Sequence, residues 1–148
     1  MKITSSKQIL ENCTWGDSNH LAFNLYSEIL KKSFLVTLFF DPKKEKKEIR
    51  EETIKSIIEF QNITEKDIED MQNAMWEFVK KYKSEDDRID MGIENKKEAI
   101  AKSQIAGVGF INEDEIDHTF FQVFMNVKWD IEHGVTIFYY HGKLDDVQ

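Results

Sequence analysis

The stretch Thr119-Phe-Phe-Gln-Val-Phe-Met-Asn-Val-Lys-Trp-Asp-Ile-Glu-His-Gly-Val-Thr-Ile-Phe-Tyr-Tyr140 decides the fold class. From Thr119 to Trp129, Phe121, Val123, Met125, Val127 and Trp129 alternate with Phe120, Gln122, Phe124, Asn126 and Lys128, the period of two that a strand imposes. Aromatic residues fall on both faces, which predicts a central strand. Val135 to Tyr140 is β-branched and aromatic and predicts a second strand. Asp130 to Gly134 then reads as the connection between them, with Gly134 free to take positive φ.

Working outward, Ile105 to Ile111 is an apolar, glycine-interrupted strand, joined to the next by Asn112 to His118. Gly107 and Gly109 suit a bend or close packing rather than a phosphate cradle, since no third glycine or Lys-Ser/Thr pair follows. Near the N-terminus, Leu21, Phe23 and Leu25 alternate, and Phe34 to Phe40 is a dense β-rich run, with Glu28 to Ser33 as the turn of a hairpin. Asp41-Pro42 ends that run, because proline cannot donate to a ladder.

The periodicity then changes. From about Glu45, Ile49, Ile54, Ile57, Ile58 and Gln61 share one helical stripe. Thr64 predicts an N-cap with Asp67 at N3 and a staple between Ile63 and Ile68, opening a helix to about Lys83. Ser84 to Arg88 reads as a solvated connector, and Asn95 with Glu98 as a capping box for a short helix through about Lys102. The expected architecture is α+β, an antiparallel sheet made from the N-terminal hairpin and three C-terminal strands, with two main helices and one short helix packed on one face.

The length of 148 residues fits a single domain, 1–148, since a chain of that size removes roughly 70% of its unfolded surface from water. Hydrophobic residues make up 41% and Phe contributes 11, enough to offset the entropy of ordering. One cysteine, Cys13, forms no internal disulfide and reads as an inert thiol, and no apolar run approaches the roughly 20 residues that span a bilayer. These features predict a cytoplasmic protein without a membrane partner.

The net charge of −8 argues against nucleic acid, whose phosphates are neutralised by Lys and Arg. The acidity is unevenly placed. Residues 1–60 carry ten Lys/Arg against nine Asp/Glu, and residues 61–148 carry ten against nineteen. Glu65, Asp67, Glu69 and Asp70 fit a solvated helix face. Glu113, Asp114, Glu115 and Asp117 form a denser acidic loop, able to steer and orient a basic protein partner.

Asp130, Glu132 and His133 are the densest cluster of functional residue types and could ligate a metal or form an acid/base pair. A turn explains them better, because Asp caps free amides and Gly supplies the left-handed residue. His133 lacks a second histidine four residues away, and His20, His118 and His141 lie near strand ends outside any ligand motif. No nucleophile stands in an elbow or beside a base, so no catalytic residue and no cofactor is expected.

The aromatic strand followed by Trp129-Asp-Ile-Glu-His-Gly-Val135 and His141-Gly-Lys-Leu144 resembles a group of uncharacterised bacterial domains of unknown function. Their shared pattern is an aromatic strand, Trp-Asp-x-Glu-His-Gly, a short strand and a Gly-Lys/Asn turn, and the helices Glu51 to Asn62 and Thr64 to Lys83 extend the likeness. Such families are often linked to immunity against bacterial toxins. The resemblance implies an immunity protein; with the absent catalytic motif and the acidic surface it gives a non-catalytic protein that neutralises a basic cognate toxin through Glu113, Asp114, Glu115, Asp117, Asp130, Glu132 and His133. The alternatives are a metal-binding protein or metal-dependent enzyme using Asp130, Glu132, His133 and another histidine, and a homodimer paired through exposed strand edges.

Overall fold

The computed structural model describes residues 2–17, 19–45 and 47–148, and its architecture is α+β. In chain order the elements are α1 (Ser6–Asn12), β1 (Thr14–Trp15), β2 (His20–Ser27), β3 (Lys32–Phe39), α2 (Glu51–Gln61), α3 (Glu65–Tyr82), α4 (Glu85–Asp90), α5 (Lys96–Ala101), β4 (Ser103–Phe110), β5 (Phe120–Val127), β6 (Asp130–Tyr140) and β7 (Lys143–Val147). The strands form two antiparallel ladders, β1-β2-β3 and β4-β5-β6-β7.

The ladders meet at a seam. β3 lies against β4 without joining its ladder. Lys32, opening β3, donates its ammonium to the carbonyl of Ile105 near the start of β4 at 2.6 Å, while Phe39 and Asn112 at the far ends line one cleft. The two strands therefore run in the same direction. Phe60 of α2, fully buried, closes the seam from the helical side: its ring meets Phe34 of β3 at 5.8 Å, Phe110 of β4 at 6.2 Å and Phe121 of β5 at 5.7 Å, each edge-on. Edge-to-face aromatic contacts of this kind add about 0.5–1.5 kcal/mol to the burial itself.

Register sorts the side chains by face. In β2 the residues Leu21, Phe23 and Leu25 are buried, and in β3 Phe34, Val36 and Leu38. In β5 the set Phe121, Val123, Met125 and Val127 faces the helices. β5 is an internal strand of its ladder, as the two-faced aromatics predict. Phe121 stacks flat on Tyr139 of β6, with centroids 4.6 Å apart and planes 8° from parallel.

α3 begins where the capping residues predict. Thr64 accepts from the Asp67 amide and the Asp67 carboxylate accepts from Thr64 N at 2.7 Å. Met71, Met75 and Val79 form its buried stripe. Gln61, the last residue of α2, clasps the N-terminal segment by accepting from Ile3 N and donating to Ile3 O, both at 2.7 Å.

Four local expectations are corrected. Ser84 to Arg88 is not a plain connector, since Ser84 accepts from Asp87 N and opens α4. α2 begins at Glu51, not near Glu45. The β5–β6 hairpin turns at Lys128-Trp129, so Asp130 to Gly134 belongs to β6, where residues 131–134 bulge opposite Asn126. β7 adds an edge strand beyond the three predicted C-terminal strands.

Candidate functional site

The helices cover one face of the sheet, and its other face is open. Outward positions along β2 and β3 hold His20, Ala22, Asn24 and Tyr26 beside Phe39, Thr37, Leu35 and Ser33. Across the seam, Gly107 and Gly109 of β4 pair with Phe124 and Gln122, which pair in turn with Thr136 and Phe138 of β6. Neither these positions nor Gln104, Phe120, Asn126 and Tyr140 on the same face hold an Asp, Glu, Lys or Arg, in a chain that is 32% charged. Leu35 and Phe39 are 69% and 68% exposed. Phe124 lies over the two glycines, and a Cβ on Gly109 would stand 3.0 Å from its ring, so the glycines serve close packing.

The acidic loop of residues 113–117 joins β4 to β5 at one end of this face. It is held by cations from the segment before α2. Lys44 bonds the Asp114 carboxylate, and the Arg50 guanidinium donates to the carbonyls of Glu113 and Ile116 while pairing with Glu52 at 3.3 Å. Asn112 locks the same junction, accepting from Arg50 N and from the Thr53 hydroxyl, both at 2.9 Å, and donating to Glu48 O at 3.1 Å. The Lys44 hydrogen bond lowers the Asp114 pKa, and the His118 hydrogen bond lowers that of Asp117. Glu113 and Glu115 are exposed. Between loop and strand lies a cleft of about 450 Å³ whose lining includes Phe39, Lys44, Lys47, Arg50, Glu113 and Glu115.

Asp130, Glu132 and His133 occupy the opposite end. β5 separates the two groups by eight residues, roughly 25 Å at the rise of a strand, so the seven acidic-site residues do not make one continuous patch. The Asp130 carboxylate accepts from His133 N at 3.2 Å and lies 3.0 Å from His133 Nδ1, which lowers its pKa. Glu132 is exposed beside them, and Ile131 is 87% exposed. The arrangement is a capped bulge. Among the described residues no three His, Cys, Asp or Glu side chains converge into a group that could hold a metal ion.

Folding does gather two histidines, but not around His133. His118 and His141 stack with centroids 5.2 Å apart, and the His118 ring also meets Tyr140 at 5.1 Å, so the base of the acidic loop packs onto the aromatic end of the open face. His118 Nδ1 pairs with Asp117 at 3.1 Å. His20 stands apart with Asp17 at 3.0 Å and Phe39 at a centroid distance of 5.8 Å. Cys13 is half-buried against the core.

The open face escaped the sequence reading as a site, although its signal was present in the alternation of β2, β3 and β5: every second residue on these strands is uncharged. No helix among the described residues is long and apolar enough to cross a membrane. No curated protein and no solved structure matches the chain. Residues 5–148 match the model of a family described as a domain of unknown function, DUF6985, and the chain belongs to that family.

Proposed function

We propose that this member of the family is a non-catalytic protein-binding domain, an immunity-type inhibitor that covers the surface of a basic cognate toxin in the cytoplasm. One observation carries the reading: from β2 to β6 the helix-free face of the sheet is aromatic-rich and uncharged, with Lys143 and Asp146 only at its β7 edge, and an acidic loop rims one end of it. That is the anatomy of a protein interface, with charged residues depleted at the centre and kept to the edge. Contiguous exposed apolar patches on soluble domains mark docking surfaces. Burying Leu35 and Phe39 against a partner would contribute about 1.5–3 kcal/mol each.

Glu113 and Glu115, held outward on a loop that Lys44 and Arg50 brace, supply the attraction that speeds encounter with a basic surface. Asp114 and Asp117 are engaged within the chain and take a smaller part. Asp130, Glu132 and His133, at the far end of the same sheet, form a second rim beside Ile131.

The test is purification of the untagged protein from its native cells at low salt, identification of what accompanies it, and titration of that partner with two variants. Leu35→Glu with Phe39→Glu should abolish binding, and Glu113→Lys with Glu115→Lys should slow association and reduce its salt dependence, with thermal midpoints near wild type in both. A partner bound equally well by the Leu35/Phe39 variant would sink the open-face reading.

A further inference from the structure

On the helical side of the sheet, Tyr139 of β6 is only 2% exposed, and its hydroxyl has no hydrogen-bond partner among the described residues. The flat stack on Phe121 fixes the ring, so the hydroxyl cannot swing away to find one. Buried hydroxyls are almost always paired, and an unpaired one calls for a specific reason. The reason suggested by its surroundings is a ligand.

Tyr139 lines a cavity of about 370 Å³ between α3 and the β6–β7 turn, together with Asp67, Asp70, Asn73, Lys143 and Leu144. Burial first, and then the charges of Asp67 and Asp70, hold the phenol far above its ordinary pKa, so it stays neutral beside two carboxylates. Asp67 uses Oδ2 to accept from Thr64 N and meets the Thr64 hydroxyl at 3.0 Å. Among the described residues, Asp70 makes long, exposed contacts with Lys66 at 3.3 and 3.4 Å. Asn73 Oδ1 accepts from Lys96.

We propose that this cavity receives the cationic end of a basic side chain, the guanidinium of Arg or the ammonium of Lys, from a peptide or protein. Its N–H donors would be shared between Asp70, Asp67 and the Tyr139 oxygen, acceptors on three residues that line one pocket of side-chain size. Lys143, the cation of the lining, opposes such a ligand and limits affinity. The site lies on the other side of the sheet from the open face and does not depend on it.

The probe is N-acetylarginine N-methylamide, with N-acetylcitrulline N-methylamide as its neutral isostere, titrated into the whole chain and followed by amide NMR. Shifts centred on Asp70, Ala74, Tyr139 and Leu144 with the arginine compound alone are expected. Asp70→Asn should weaken binding about tenfold, as for a lost hydrogen bond to a charged group, Tyr139→Phe should weaken it, and Lys143→Gln should tighten it. Equal shifts with the citrulline compound, shifts spread over the acidic surface, or an affinity indifferent to Asp70→Asn and Tyr139→Phe would each overturn the proposal. Tyr139→Phe removes a buried unpaired hydroxyl, so its thermal midpoint should be at or above wild type and a loss of binding is not a loss of fold.

Discussion

At the scale of single residues, two positions in the β5–β6 region carry sharp expectations. Gly134 sits at φ +65°, and a Cβ there would stand 2.6 Å from the carbonyl oxygen of Met125. Backbone oxygen cannot yield as a side-chain tip can, so Gly134→Ala should cost about 1–3 kcal/mol or more, read as a lower urea midpoint. Asp130 has its pKa held below the ordinary 3.8, chiefly by the His133 hydrogen bond. A depressed carboxylate contributes stability above its unfolded pKa and loses it as pH falls through the folded value, so this contribution fades below about pH 4. Carboxyl NMR should show Asp130 titrating lower in the wild type than in His133→Ala, and an identical titration would remove His133 as the cause. Glycine's role at 134 was legible in sequence because positive φ is a property of one residue. The bulge around it was not, since it depends on which residue of β5 each residue of β6 opposes.

Elements differed in the same way. α3 was legible because cap, periodicity and charge all agree over 18 residues. α4 escaped because its six residues bury nothing and Glu85-Asp-Asp-Arg88 carries no apolar stripe. β7 escaped because Lys-Leu-Asp-Asp-Val alternates too weakly; its strand state comes from pairing with β6. The acidic loop was found, yet its restraint by Lys44 and Arg50 was not, as those partners lie 63 to 70 positions away in the chain. The seam between β3 and β4 was beyond sequence altogether. Since β3 is laddered only to β2, alternate β3 amides, those turned toward β4, should exchange with solvent faster than their neighbours. The β5 amides, laddered on both sides, should exchange slowly. Uniform protection along β3 matching that of β5 would mean that the ladder continues across the seam.

For the molecule as a whole, periodicity indicated an α+β fold and the charge count an acidic C-terminal portion, but not where that acidity sits. From β2 to β6 the open sheet face carries neither acid nor base; Lys143 and Asp146 stand on its β7 edge, and carboxylates occupy the loops and helices around it. Like-charged molecules repel, so a copy of this chain can approach another most easily across that neutral face, whereas a basic partner is drawn to its rim. The seam also bears on how the molecule is reached from the unfolded chain. Each hairpin can zip from neighbours close in sequence, but Phe60 gains Phe34 on one side and Phe110 and Phe121 on the other only after the long excursion between β3 and β4 has been closed. Long-range closure is the slow kind of step. Phe60→Leu should therefore show its cost mainly in the refolding limb of a chevron, and a cost confined to unfolding would mean that the two halves dock before the ring locks them. On that expectation, one aromatic side chain is the latch whose closing would set the pace of folding.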